Sequence, residues 1–166
     1  PSKRSPNVID PTLARTFQQS LADEHRQRLY AVLDGASIPN LLPLLAEHRL
    51  GHICLMPGEL EPELAEAAPY LVDLPPLSPF AELFLTRGLG NHWGILAASD
   101  AGLRTLRMHF RKLLTVWDPD GKPLYFRYYD PRVLRARTAA RPTRCDRPRR
   151  RTRAAPRHRR CRARRR

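Results

Sequence analysis

The chain has 166 residues and a formal net charge of +14, a length that suits one domain. The charge is split: residues 1–134 carry 14 Lys and Arg against 15 Asp and Glu, whereas residues 135–166 carry 16 Arg against Asp146 alone. A near-neutral body excludes a uniformly basic nucleic-acid-binding fold, and no apolar run approaches the about 18 residues of a membrane span.

Asp10-Pro11 joins an N-cap carboxylate to a proline suited to the first helical position. Leu13, Phe17 and Leu21 follow at four-residue spacing, which predicts a first helix with that stripe inward. Leu29-Tyr30-Ala31-Val32-Leu33 predicts a buried strand closed by a turn at Asp34-Gly35. Pro39 opens a second helix to about His48, with Leu41, Leu44 and Leu45 inward and Pro43 tolerated only in the first turn. Ile53-Cys54-Leu55-Met56 is the next strand, and an acidic stretch with Glu59, Glu61, Glu63 and Glu66 follows it. Tyr70-Leu71-Val72-Asp73-Leu74 predicts a third strand. Ser78-Pro79 caps a helix through about Arg87, and Trp93-Gly94-Ile95-Leu96-Ala97 is a fourth strand. Ser99 or Asp100 caps a helix whose apolar face is Leu103, Leu106, Phe110 and Leu113. Two last strands, residues 114–117 and 124–129, flank the turn chemistry of Asp118-Pro119-Asp120-Gly121-Lys122.

Strands alternating with helices predict a single layered α/β domain. The expected sheet is mostly parallel and flanked by helices, with an antiparallel hairpin at one edge. The expected organisation is an N-terminal segment with one helix over residues 1–27, the α/β domain over 28–134, and an Arg-rich tail over 135–166. The tail contains no Val, Ile, Leu, Met, Phe, Trp or Tyr, so it has little with which to offset its ordering entropy and is predicted to be disordered. It admits two readings. One is a polybasic arm that grips phosphates by counterion release. The other is the out-of-frame end of a GC-rich gene, since every tail residue can be written in GC-rich codons and Lys, which cannot, is missing.

Certain segments occur in a telling order: Tyr30-Ala31-Val32-Leu33-Asp34-Gly35-Ala36, Ala68-Pro69-Tyr70-Leu71-Val72, His92-Trp93-Gly94-Ile95-Leu96, and Asp120-Gly121 leading to Phe126-Arg127-Tyr128-Tyr129-Asp130-Pro131-Arg132-Val133-Leu134. Together they resemble a bacterial family known as a domain of unknown function, whose members are adaptor chaperones of type VI secretion. The resemblance implies a cytoplasmic, non-enzymatic role: holding an effector protein and helping to load it onto its VgrG spike protein. It also implies helical sequence beyond the Asp-Pro-Arg motif, where this chain turns Arg-rich instead.

The residues allow rival chemistry. Asp34 ends a strand, where open α/β sheets place ligand sites, and with His52, His92 or Asp130 it could form the acid/base pair of a small α/β enzyme. None of these residues sits in a catalytic spacing, and the simpler reading makes Asp34-Gly35 a turn and Asp130 a cap for the residues after Pro131. Cys54 lies in an apolar strand and reads as a small hydrophobe. His48, His52 and Cys54 lack metal-ligand spacing, so neither metal nor other cofactor is expected. Arg104, Arg107 and Arg111 recur on one helix face beside the apolar stripe; the plainer reading is a solvated helix face and the functional one a contact with an acidic partner, while Glu59, Glu61, Glu63 and Glu66 could pair with these arginines or meet a basic partner. The resemblance alone adds Arg127, Asp130 and Arg132 to the candidate partner-binding set; the residues themselves read as structural, the two arginines being expected to ion-pair with Asp130 or another acid in a turn that closes the last strand. The expected function is therefore adaptor rather than enzyme, soluble in the cytoplasm, binding effector and VgrG. Nucleic acid becomes a partner only if the tail is genuine.

Overall fold

A computed structural model describes residues 10–24 and 28–139. Helix α1 (Pro11–Glu24) starts where Asp10 Oδ1 accepts from the backbone N–H groups of Thr12 at 2.7 Å and Leu13 at 3.3 Å. Those bonds hold the Asp10 carboxyl below its ordinary value, because they favour the charged form. Two residues of the expected inward stripe are turned out instead: Leu13 is 62% exposed and Phe17 is also exposed, while Ala14 and Gln18 face the core; the side chain of Leu21 lies outside the described residues. The helix packs on α4 (Pro79–Leu83), where Arg15 and Glu82 meet at 3.5 Å.

Four strands form the main sheet: β1 (Arg28–Asp34), β2 (His52–Cys54), β3 (Pro69–Asp73) and β4 (Gly94–Ser99). Their order is β2-β3-β1-β4, and all three adjacent pairs are antiparallel. The expectation of a mostly parallel sheet is thus overturned. The reason is visible in the connections. The segment carrying α2 (Leu41–Glu47) links β1 to β2, and that carrying α4 links β3 to β4; each joins strands running in the same direction, as a βαβ unit does. In each case an oppositely directed strand is inserted between the two, β3 in the first and β1 in the second, which is a split βαβ arrangement.

Strand β1 reads as one apolar run because both its faces are covered. Leu29, Ala31 and Leu33 join one core cluster with Leu41 and Leu45 of α2, Phe80 of α4 and Phe84. Tyr30 and Val32 join another with Leu55, Leu71, Leu106, Leu114, Tyr128 and Tyr129. Such two-sided burial is commonest in parallel sheets; here the strand is central in an antiparallel one. Close backbone approach fixes Gly94, since a Cβ there would lie 2.1 Å from the carbonyl oxygen of Val32.

Pro43 sits in the first turn of α2, where its missing N–H leaves no helical bond unmade. The acidic stretch contains a short helix, α3 (Pro62–Ala67), that its composition does not announce. Helix α4 widens into a π-turn (Phe84–Gly88), closed by Leu89 N–H donating to the Phe84 carbonyl at 3.0 Å. Helix α5 (Leu103–Leu113) is preceded by Gly102 as N-cap, and not by Ser99 or Asp100.

The last two strands, β5 (Thr115–Trp117) and β6 (Pro123–Tyr125), pair with each other in a separate two-stranded sheet and do not extend the edge of the main one. Their turn closes as its composition predicts: Asp118 Oδ1 accepts from the Lys122 N–H at 2.7 Å, and Gly121 takes the left-handed φ of 77°. Beyond β6, residues 126–130 are not strand; they run into α6 (Pro131–Ala139). The Arg-rich segment is therefore helical over residues 135–139, against the expectation of disorder from Arg135 onward. The remainder of the predicted tail, 140–166, lies outside the described residues, as do residues 1–9 of the N-terminal segment.

Candidate functional site

The polar centre of the molecule is the carboxylate of Asp34 at the end of β1. It is fully buried. Its Oδ2 accepts from Arg127 Nη2 at 2.6 Å and from Ser37 Oγ at 2.8 Å. Its Oδ1 is buried with no hydrogen-bond partner among the described residues. Asp34 is placed there by the backbone: its N–H donates to the Trp93 carbonyl at 2.8 Å, and the next N–H, of Gly35, donates to the Ala68 carbonyl at 3.1 Å. Gly35 permits that approach, since a Cβ would lie 2.3 Å from the Glu66 carbonyl oxygen.

Arg127 reaches Asp34 from the segment between β6 and α6. Burial opposes its charge, but the Asp34 carboxylate outweighs that cost and holds the guanidinium above its ordinary pKa. The Arg127 guanidinium also lies 5.8 Å from the ring centroid of Tyr129. Tyr129 and Tyr125 bring their hydroxyls to 3.3 Å. Beside them the Tyr128 ring stacks on Phe110 at 5.9 Å between centroids, and its hydroxyl donates to the Phe110 carbonyl at 3.2 Å. Burial raises the phenol pKa of both Tyr128 and Tyr129. The Tyr-Tyr pair thus pins the start of α6 to α5 and to the sheet.

Asp130 is the N-cap of α6. Its Oδ1 accepts from the Arg132 N–H at 2.9 Å, with Pro131 at the first helical position. The Arg132 side chain returns to the same carboxylate, with Nη2 at 2.8 Å from Oδ2. Bonding to Arg132 lowers the Asp130 pKa despite burial and raises that of Arg132 in turn. Arg132 therefore pairs with Asp130 and Arg127 with a different acid, Asp34. The expected ion-paired turn exists, but it opens a helix and does not close a strand.

The three predicted arginines of α5 do not act alike. Arg107 turns inward: its Nε donates to the Cys54 carbonyl at 2.8 Å and its Nη2 to the Met56 carbonyl at 3.4 Å, clamping the end of β2. Arg104 is exposed and Arg111 half-buried. Neither makes an ion pair among the described residues, and no ion pair there joins Glu59, Glu61, Glu63 or Glu66 to any arginine. The structure thus gathers Asp34, Arg127, Tyr129, Asp130 and Arg132 into one polar cluster and leaves the α5 arginines outside it.

Among the described residues, no histidine joins Asp34 through a hydrogen bond. His52 Nδ1 lies 2.9 Å from the Leu50 carbonyl oxygen and its ring meets Tyr70. His48 packs edge-on against Phe80. His92 has a left-handed φ of 59°, and its Nδ1 is buried without a partner among the described residues. Among the described residues, no group of three or more His, Cys, Asp or Glu could hold a metal ion, and no helix is long and apolar enough to cross a membrane.

Sequence reasoning missed one surface. The β5–β6 hairpin exposes Trp117 at 69%, Leu124 at 50% and Tyr125 at 51%. Val116, Trp117, Pro119, Leu124 and Phe126 line a groove of about 520 Å³ beside it, rimmed by Asp118 and by Arg137 of α6. Trp117 and Leu124 were legible only as strand residues: the register Val116↔Leu124 puts them on opposite faces of the hairpin, and nothing in a two-residue alternation tells that both faces stay open.

A family model described as a domain of unknown function (DUF4123) matches residues 29–145, from the start of β1 through α6 and beyond it. No curated protein and no solved structure matches the chain.

Proposed function

We propose, from the premise that this chain belongs to the DUF4123 family, that it is a non-enzymatic adaptor: it holds a type VI secretion effector in the cytoplasm and helps load it onto its VgrG spike protein. The observation that carries the protein-binding part of this reading is the exposed hairpin. Large apolar side chains left in water cost free energy, and this short hairpin carries them on both faces, Trp117 and Tyr125 on one and Leu124 with Val116 on the other, which a covering protein would explain. Trp and Tyr are also the side chains most often found to dominate binding energy. The groove of Val116, Trp117, Leu124 and Phe126 would take an apolar side chain of the effector. The polar cluster has a supporting role: Asp34, Arg127 and Asp130 fix the hairpin and α6 to the sheet, so the groove is presented rigidly. The naming of effector and VgrG rests on the resemblance of the Asp-Pro-Arg segment and its companions.

The test is co-expression of the full chain with an effector and a VgrG protein from the same bacterium, followed by co-purification. The wild-type chain is expected to retain the effector. The double variant Trp117→Ser/Leu124→Ser is expected to lose it while its circular-dichroism melt is unchanged. Full retention by that variant sinks the hairpin as the binding surface, and no retention by the wild type sinks the adaptor reading itself.

A second reading is favoured by one observation, the 16 Arg beyond residue 134. A nucleic-acid binder would hold an oligonucleotide with an affinity that falls steeply with salt, and the hairpin variant would leave that binding intact.

A further inference from the structure

Helix α5 carries a charge pattern that its own fold does not explain. Its sequence, LRTLRMHFRKL, has four cationic residues and one histidine but no acid. The inner side is committed: Leu106 is buried, Phe110 stacks on Tyr128, and Arg107 is spent on the carbonyls of Cys54 and Met56. The outer side is a line at four-residue spacing, Arg104, Met108 and Lys112, all exposed, with Met108 at 57%. Arg111 flanks it half-buried. Among the described residues no ion pair holds Arg104, Arg111 or Lys112.

Intrahelical electrostatics do not account for this pattern. Arg111 and Lys112 stand in the last turn, where a cation is favoured by the helix dipole. Arg104 stands in the first turn, where a cation is disfavoured, and the helix has no side-chain N-cap and no first-turn acid to offset it. Arg104 with Arg107, and Arg107 with Arg111, are like-charge pairs at three- and four-residue spacing, which weaken a helix. The cations also bracket an exposed methionine, a flexible apolar side chain common on binding surfaces.

We propose that the outer face of α5 is a second docking surface, distinct from the hairpin groove, whose occupant is an acidic amphipathic segment of a protein partner. The segment's carboxylates pair with Arg104 and Lys112, and an apolar side chain between them packs on Met108. Charge complementarity selects the acid. The near-neutral body, with 15 Asp and Glu against 14 Lys and Arg over residues 1–134, and the apolar centre of the line favour a peptide over a nucleic acid. This inference stands on α5 alone and does not need the type VI assignment.

The experiment is fluorescence anisotropy on the full chain. The probe is a labelled synthetic helical peptide with Glu at four-residue spacing and Leu between, compared with the same peptide carrying Gln for Glu. The Glu peptide is expected to bind more tightly than the Gln peptide. Arg104→Glu/Lys112→Glu is expected to weaken the Glu peptide about tenfold, and Met108→Ser to weaken both peptides. Among the described residues Arg104 and Lys112 hold no ion pair, and the acid gained in the first turn of α5 offsets the acid placed in its last; the double variant is therefore expected to melt near wild type, which separates lost binding from lost folding. Unchanged Glu-peptide affinity in the double variant overturns the proposal, since the Arg-rich segment then does the binding. A parallel titration uses a single-stranded oligonucleotide of equal charge. If the double variant loses both ligands equally and Met108→Ser loses neither, the face reads charge alone, and the peptide proposal is overturned. Loss of effector co-purification with peptide binding intact would instead count against the adaptor reading and leave this one standing.

Discussion

Arg127 and Asp34 are 93 positions apart in the chain and meet through a 2.6 Å ion pair that ties the end of β1 to the start of α6. The two ends of the pair are unequal: the Asp34 side chain is 1% exposed and that of Arg127 43%. Removing the exposed partner leaves a buried carboxylate uncompensated, whereas neutralising the buried one leaves a guanidinium that can reach water. Arg127→Ala is therefore expected to cost about 2 kcal/mol, discounted from the full value for a buried pair because Arg127 is wetted. Asp34→Asn, which keeps an acceptor for Ser37, is expected to cost less. Chemical denaturation of both variants and of the double variant measures the order; an Asp34→Asn loss larger than that of Arg127→Ala contradicts it.

That long-range pair marks where the sequence stops being legible. The spacing of Asp34 and Arg127 carries no information, because the fold, and not the chain, brings them together. Local signals read well: Asp34-Gly35 as a turn, Asp130 as a cap, Asp118 to Lys122 as a hairpin closure. The strands were legible too, but not their neighbours. A continuous apolar run reports burial on both faces, and it reports this equally for a central antiparallel strand. Helix α3 was missed because it buries none of its side chains and so shows no stripe. Helix α6 was missed although Asp130-Pro131 repeats the Asp-Pro start that identifies α1. The Arg-rich composition masked it, yet Arg and Ala are good helix formers.

The α6 cap has a signed pH dependence. Bonding to Arg132 lowers the folded-state pKa of Asp130 from its ordinary 3.8. A depressed carboxyl contributes stability that is fully present above the unfolded value and is lost as pH falls through the folded one. Asp130→Asn keeps a capping acceptor but removes the charge. Wild type is therefore expected to melt higher than Asp130→Asn at neutral pH, with the gap constant down to about pH 5 and closing below it. Asp130→Ala, which loses the cap as well, is expected to cost about 1 kcal/mol more. Thermal melts across the acid range read both, and a gap that widens on acidification is the contrary result.

The alkaline side depends on Tyr128. Burial raises its phenol pKa above the ordinary 10.0. A raised phenol contributes stability below its unfolded value and loses it as pH rises through the folded one. Its phenolate is therefore expected to appear together with unfolding in a spectrophotometric titration. Tyr128→Phe keeps the stack on Phe110, loses one hydrogen bond to the Phe110 carbonyl, and is expected to cost about 1 kcal/mol at neutral pH. The same variant is expected to lose less stability than wild type on going alkaline. Ionisation of all the tyrosines near the ordinary value, with the fold intact, would show that Tyr128 is not held by its surroundings.

Gly94 tests the sheet directly. It pairs with Leu33 in the β1–β4 ladder, and a Cβ there would press within 2.1 Å of the Val32 carbonyl oxygen. The contact is backbone, so no rotamer change can relieve it; the strands must separate. Separation would strain the adjacent bond from Asp34 N–H to the Trp93 carbonyl, and with it the placement of the Asp34 carboxylate that Arg127 needs. Gly94→Ala is expected to cost about 3 kcal/mol, the upper end of overpacking. Gly102→Ala, where nothing lies within 4 Å of the added carbon, is expected to cost at most about 1 kcal/mol, from replacing glycine at the N-cap of α5. Because the strain reaches the Asp34–Arg127 pair, Gly94→Ala and Arg127→Ala are expected to be less than additive. Denaturation of the double variant decides this: full additivity would show that the sheet edge and the polar cluster are independent.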